Sequence, residues 1–125
     1  MLLAVGVSFW EPNLREPYQP TPLPLLNGTR VIEQPAGLHT LARRYAEAAV
    51  SFVHAQAAER TPFYLYAAFN HIHQPNSCGP EWCGASTRGP IGDAIEELDE
   101  SIGTIMASLV EAAVDENTLV LFTSE

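Results

Sequence analysis

Two short, almost uninterrupted apolar runs, at 63–69 and 118–123, constrain the fold of this chain most strongly. Runs of this length and composition are typical of strands buried on both faces, as in a parallel sheet. Between them, residues 91–113 carry apolar side chains at helical spacing. Two parallel strands joined by a helix form a right-handed βαβ unit. We therefore predict an α/β fold in which this helix packs on one face of a parallel sheet.

The first half of the chain adds a second helix and an irregular segment. Apolar residues recur with the 3.6-residue period over residues 38–60, which predicts a long amphipathic helix. Residues 29–34 predict a short strand. Five prolines between residues 11 and 28 disfavour a helix there, and we expect residues 1–22 to form a Pro-rich irregular segment. We expect residues 23–125 to be a partial domain, truncated at both ends.

Composition narrows the classes of partner. The 125 residues carry a formal charge of −9, and all six basic residues are Arg. Nucleic-acid grooves and anionic membrane surfaces need clustered basic residues, so we predict no nucleic-acid partner. No apolar stretch approaches the roughly 20 residues that span a bilayer. The apolar start, Met1–Trp10, lacks the basic region and cleavage site of a signal peptide.

Polar side chains follow both apolar runs. Asn70, His71 and His73 come after the first, and Glu125 comes after the second. Ligands of open parallel sheets gather at the carboxyl ends of the strands, so we expect His73 and Glu125 to face one cleft. Imidazole suits a proton transfer or an oxyanion, and carboxylate suits a hard cation. A histidine pair of this spacing is also compatible with a structural role.

The two cysteines leave more than one interpretation open. Cys78 and Cys83 are five positions apart in a Gly- and Pro-containing loop. A metal site would need closer spacing and further ligands. A small loop disulfide requires an oxidising compartment, and two free thiols are the alternative. His39 and His54 are interpreted as ordinary residues of the first helix.

Three blocks of the sequence, in this order, carry a family resemblance: PFYLYAAFNHIHQP, RGPIGDAIEELDESIG and ENTLVLFTSE. Together they resemble the middle of a type I sulfatase of the arylsulfatase group, from about Leu23 to Glu125. The resemblance implies an alkaline-phosphatase-like α/β fold, a calcium ion and the hydrolysis of sulfate esters. It also implies a formylglycine nucleophile, made from a cysteine in a C-x-P-S-R motif.

The resemblance assigns roles to individual residues. His73 matches the histidine that contacts the sulfate and helps the leaving oxygen depart, and His71 matches a supporting histidine. Glu125 occupies the position of a calcium-binding aspartate in the family, whose side chain is one methylene shorter than that of Glu. Asn27 begins an N-x-T sequon that matches a glycosylated asparagine of lysosomal relatives. The block 92–99 also matches, and we interpret its charges as structural.

The catalytic set of such an enzyme is incomplete in this sequence. Neither Cys78 nor Cys83 lies in a C-x-P-S-R context, and the paired calcium-binding aspartates and the active-site lysines are absent. Sulfate ester cleavage needs a nucleophile and cationic stabilisation, so we expect the isolated chain to be inactive. A phosphatase or phosphodiesterase of the same superfamily and a degenerate non-catalytic domain remain alternatives. The expected substrate is a small-molecule or glycan sulfate ester, in the secretory pathway, lysosome or extracellular space.

Overall fold

Both predicted helices are formed in the computed structural model, which describes residues 2–5, 23–74 and 76–123. The architecture is mixed α/β, with two helices and two two-stranded sheets in the described part. Neither helix is long and apolar enough to cross a membrane. The elements in chain order are β1 (Leu2–Val5), β2 (Leu25–Asn27), β3 (Arg30–Glu33), α1 (Leu38–Ala58), β4 (Tyr64–Ala67), α2 (Gly89–Glu111) and a 3₁₀ turn (Asp115–Asn117).

The strands form one parallel and one antiparallel pair. β1 runs parallel to β4, with Leu2 opposite Tyr64 and Val5 opposite Ala67. β1 falls within the segment 1–22, where the prolines indicated irregular chain. β2 and β3 form an antiparallel hairpin, of which the sequence predicted only the second strand. Gly28 opens the hairpin turn with φ of +60°, a left-handed conformation that glycine adopts without steric cost.

The predicted parallel pairing between residues 63–69 and 118–123 is not formed. Residues 118–123 contain no strand, and β4 pairs with β1 instead. The side chains of Leu119, Leu121 and Phe122 are 85%, 80% and 70% exposed. A strand of a parallel sheet depends on packing against both of its faces, and the described residues supply neither layer here.

Two aromatic contacts fix the chain around β4 against α1. The rings of Phe52 and Phe63 meet edge to face at a centroid distance of 5.7 Å, just before the strand. Tyr45 and Phe69 meet in the same way at 6.1 Å, just after it. Tyr45 also belongs to a small buried cluster with Leu25 and Leu41, so the hairpin packs at the same point. Phe69, the residue before Asn70, is therefore held against α1.

Glu33 connects the hairpin to the start of α1. Its carboxylate accepts a hydrogen bond from the backbone N–H of Gly37 at 2.9 Å and another from the guanidinium of Arg44. Arg44 and the Gly37 N–H hold the pKa of the Glu33 carboxyl below its usual range. Gly37 precedes the first residue of α1, so one side chain satisfies an unpaired donor at the helix start.

α1 and α2 pack against each other, and the buried residues of α2 follow its apolar pattern only in part. Leu109 of the apolar stripe is buried, whereas Ile91 and Ile95 of the same stripe are exposed. At its N-terminal end α2 is covered by the preceding loop, since Gly92 lies against Ser86 and Arg88. The buried residues of α2 are Gly92, Asp93, Ala94, Glu97, Ser101, Ser108 and Leu109.

The packing predicts opposite effects for two glycines of α2. A Cβ on Gly92 would lie 2.3 Å from Oγ of Ser86 and 2.7 Å from Cβ of Arg88. We expect Gly92→Ala to lower the free energy of unfolding by about 1–3 kcal/mol, as overpacking does. A Cβ on Gly103 would meet no atom within 4 Å, so Gly103→Ala should raise it by about 0.5–1 kcal/mol. Urea unfolding of both variants measures the difference, and equal shifts would contradict this packing.

Candidate active site

The segment after β4 turns sharply and separates the two candidate histidines. The backbone N–H of His73 donates to the carbonyl of Asn70 at 3.0 Å, which closes a turn over residues 70–73. The turn begins directly after Phe69, which Tyr45 holds in place. As a result His71 lies in the interior and His73 lies at the surface.

His71 is buried against α2. Its Nε2 atom lies 3.1 Å from Oε2 of Glu97, and the two side chains are 2% and 5% exposed. The same Oε2 atom accepts a hydrogen bond from the backbone N–H of Gly79 at 3.0 Å. Gly79 is itself confined, since a Cβ there would lie 3.0 Å from Oε1 of Glu97. The strand end, the following loop and α2 thus meet at one carboxylate.

His73 borders a shallow surface depression. Its Nδ1 atom lies 2.6 Å from the carbonyl oxygen of Gln74. Because a carbonyl oxygen only accepts, Nδ1 carries the proton in this contact. The exposed ring is thereby given one orientation at the surface. The depression is lined by Asn70, His71, Ile72, His73, Asn76, Ser77 and Ala94.

Two buried polar atoms of this segment have no hydrogen-bond partner among the described residues. They are Oδ1 of Asn70 and Nδ1 of His71. Most buried polar atoms in proteins are hydrogen bonded, so two unpaired ones at a strand end require an explanation. Both atoms are available for contacts that the described part of the chain does not supply.

The loop between the histidines and α2 is closed by a disulfide. Cys78 and Cys83 are bonded, which selects one of the two states that the sequence left open. Within this loop the backbone N–H groups of Trp82 and Cys83 both donate to the carbonyl of Gly79, at 2.9 and 3.0 Å. The cross-link therefore encloses the residue whose own N–H reaches Glu97.

Asp93 fixes the end of that loop from the first turns of α2. Its carboxylate accepts hydrogen bonds from the backbone N–H groups of Gly84 at 2.9 Å and Ser86 at 2.8 Å. The hydrogen bond from Gly84, followed by that from Ser86, holds the pKa of the Asp93 carboxyl below its usual range. This structural role agrees with the interpretation of the charges at the start of this helix.

The lowered pKa predicts how stability depends on pH. The folded state favours ionised Asp93, so its contribution is complete above the unfolded pKa of about 3.9 and is lost as pH falls through the lower folded pKa. Asp93→Asn should therefore be destabilised near neutral pH, and the gap to wild type should shrink below about pH 4. Urea unfolding between neutral and acidic pH measures this gap. Asp99→Asn, an exposed carboxyl of the same helix, controls for the loss of one charge; a gap constant with pH would contradict the prediction.

The described residues do not by themselves form a metal site. Among them, no group of three or more His, Cys, Asp or Glu side chains is arranged to hold a metal ion. Calcium needs several oxygen ligands, and the buried carboxylate of Glu97 already has Oε2 engaged with His71 and Gly79. Glu125, the predicted calcium ligand, lies outside the described residues, so its position relative to His73 stays a prediction.

Asn27 lies at the end of β2, where the hairpin turns. It is exposed, and it is paired with Arg30 across the turn. An exposed hairpin turn is sterically suited to carry a glycan, since glycosylated sequons lie on surface segments. The exposed position is compatible with the predicted modification of Asn27.

Comparison with known proteins identifies the family. The sulfatase family model matches residues 4–125, nearly the whole chain. The chain belongs to the sulfatase family. It is 38% identical to arylsulfatase A of Homo sapiens over 104 residues, which cover 83% of this chain and 20% of that protein. It is 36% identical to the N-acetylgalactosamine-6-sulfatase of Mus musculus over 94 residues, 75% of this chain and 18% of that protein.

A third relative extends the match across sulfatases of different names. The steryl-sulfatase of Rattus norvegicus is 33% identical over 108 residues, which cover 86% of this chain and 18% of that protein. The chain thus spans about a fifth of the length of these sulfatases. The resemblance inferred from the three sequence blocks is confirmed, and the family match begins at residue 4, ahead of Leu23.

The sequence did not identify Glu97 as the partner of His71. A signal was present: Asp93, Glu97 and Ser101 recur every four residues and so lie on one helix face. Acidic residues among small ones indicate a face that packs closely and uses its charges internally. The sequence interpretation assigned these charges a structural role and did not identify a partner for Glu97.

Proposed function

We propose that this chain is part of a sulfuric ester hydrolase of arylsulfatase type, acting on sulfate monoesters. The family match over residues 4–125 is the observation that carries the proposal. The relatives named above are all sulfatases, although their names refer to different esters. The complete alkaline-phosphatase-like fold is part of the same proposal, and in it residues 118–123, which form no strand in this chain, would complete a parallel βαβ unit.

Within this proposal, His73 contacts the sulfate and protonates or hydrogen-bonds the leaving oxygen. Its surface position beside a depression supports this role. The contact between Nδ1–H and the Gln74 carbonyl also gives the ring one orientation there. A positioned imidazole can deliver a proton to a departing oxygen near neutral pH. His71 supports it from the interior, where the ring is held by Glu97.

The remaining catalytic parts are proposed from the family resemblance. Glu125 would be a calcium ligand in the complete domain, where the ion supplies positive charge toward the sulfate oxygens. The nucleophile would be a formylglycine outside this chain, since the 125 residues contain no C-x-P-S-R motif. The active-site lysines would also lie outside it, since the chain contains no Lys. The isolated chain is for that reason proposed to be inactive.

Two observations support a location in the secretory pathway, the lysosome or the extracellular space. The Cys78–Cys83 disulfide is a feature of proteins in oxidising compartments. The Asn27 sequon occupies an exposed turn, as glycosylation in that pathway requires. The two features lie in different parts of the described chain and agree.

Turnover of paired esters tests the proposed function. The complete polypeptide containing this sequence should hydrolyse a chromogenic aryl sulfate and should leave the matching aryl phosphate largely intact. The 125-residue chain should release no product above background from either ester. Faster release from the phosphate would favour the phosphatase alternative, and release from neither ester by the complete polypeptide would favour a non-catalytic domain.

A further inference from the structure

One oxygen of Glu97 organises both ends of the loop that carries His73. Oε2 accepts hydrogen bonds from Nε2 of His71 at 3.1 Å and from the backbone N–H of Gly79 at 3.0 Å. His73 lies in the chain between these two donors. Because both donors bind the same atom, the segment 71–79 is fixed to α2 at its first and last residues.

The direction of the hydrogen bond also defines the state of the His71 ring. A carboxylate oxygen accepts, so Nε2 of His71 carries a proton and Nδ1 is the nitrogen available for another contact. Nδ1 is buried and has no partner among the described residues. Glu97 therefore sets both the orientation of the ring and which nitrogen faces the remaining surroundings.

Burying a carboxylate is costly, which argues that Glu97 has a specific task. Removing an ion from water is unfavourable and is offset only by good hydrogen bonds. Ala94 and Ser101, on the same face of α2, show that small uncharged residues fill this interface. Glu97 differs from them because its carboxylate bonds to His71 at the end of the strand. The buried carboxylate of Asp93, by contrast, bonds to the loop backbone at Gly84 and Ser86.

We propose that Glu97 is a positioning residue of the sulfatase site. Its carboxylate orients His71 and anchors Gly79, and it thereby holds His73 in place against the sulfate ester. This inference rests on the proposed function and adds a residue to it. Misplacing a catalytic group by about 1 Å costs on the order of 100-fold in rate, which sets the expected size of the effect.

Three substitutions of Glu97 in the complete polypeptide separate geometry from charge. In Glu97→Gln, the amide oxygen can take the place of Oε2 and accept both hydrogen bonds, so the variant should retain most of the wild-type kcat. Glu97→Asp keeps the charge but is one methylene too short to reach both donors, so its kcat should fall below that of Glu97→Gln. Glu97→Ala should lose kcat by on the order of 100-fold, with a smaller change in KM.

Two neighbouring carboxyls of α2 serve as matched controls. Asp93→Ala removes a buried carboxylate that anchors loop backbone without touching His71, so it should lower stability but leave kcat per folded molecule unchanged. Glu96→Ala removes an exposed carboxyl beside Glu97 and should change neither. Thermal unfolding of each variant gives the folded fraction used to correct kcat.

The ranking of the variants decides the proposal. A kcat of Glu97→Asp equal to or above that of Glu97→Gln would overturn it, as would equal effects of Glu97→Ala and Asp93→Ala. Failure of Glu97→Ala and Glu97→Asp to fold, with a normal Glu97→Gln, would make Glu97 a folding residue and would also overturn it. Wild-type turnover of aryl sulfate separately tests the proposed function; if it is absent, the same ranking is measured as affinity for inorganic sulfate.

Discussion

Replacing His73 with alanine in the complete polypeptide is expected to lower kcat for aryl sulfates by about 10²–10⁴-fold, the usual contribution of a positioned acid or base. The ring is exposed, so the substitution should leave thermal stability close to wild type. A steady-state assay with a chromogenic aryl sulfate, together with thermal unfolding, measures both quantities.

The leaving group distinguishes proton donation from simple sulfate binding. If His73 assists the departing oxygen, the loss of kcat should grow as the phenol released becomes less acidic, because such oxygens need the proton more. His54→Ala is the matched control, since His54 is also exposed but lies on α1, 3.8 Å from Glu111. If kcat falls equally for all phenols, His73 does not donate a proton to the leaving oxygen. If kcat of His73→Ala equals that of wild type, His73 is not part of the site.

The helices could be predicted from the sequence because their periodicity is local. Apolar residues at 3.6-residue spacing predicted α1 and α2, and their observed ends lie within about two residues of the predicted ones, which is the usual uncertainty of helix boundaries. The direction in which α2 packs could not be obtained in this way. The N-terminal part of α2 buries Asp93 and Glu97, which bond to the preceding loop and to His71, and it leaves Ile91 and Ile95 exposed.

The strands were less predictable because a strand depends on distant neighbours. The apolar run at 63–69 formed β4 where β1 and the aromatic side chains of α1 contact it. The equally apolar run at 118–123 formed no strand, and its large side chains are exposed. Composition describes what a segment can pair with, and the pairing itself requires a partner in the right register.

The sequence marked the histidines of the site but not the carboxylate that holds one of them. His71 and His73 drew notice because they follow an apolar run. The contact between His71 and Glu97 joins residues 26 positions apart, through a turn and a cross-linked loop that no local pattern describes. Such a contact becomes visible only when the packing of α2 is known.

Replacing Glu125 with alanine in the complete polypeptide is expected to weaken calcium binding by on the order of 100-fold, because carboxylate charge is a main determinant of calcium affinity. The resemblance places a calcium-binding aspartate at this position, so Glu125→Asp should bind calcium at least as tightly as wild type. His73→Ala should leave calcium affinity nearly unchanged, since its proposed contact is with the sulfate. Calcium titration calorimetry measures all three without relying on turnover.

The matched control for this experiment is Glu116→Ala, which removes an exposed carboxyl from the 3₁₀ turn. It changes the net charge by the same amount as Glu125→Ala, so any general electrostatic effect on calcium appears in both variants. A selective loss in Glu125→Ala would identify a ligand, and recovery in Glu125→Asp would show that the longer side chain is a tolerated departure from the family pattern. Equal losses in Glu125→Ala and His73→Ala, or no loss in either, would mean that Glu125 does not bind calcium and that the site has lost this ligand.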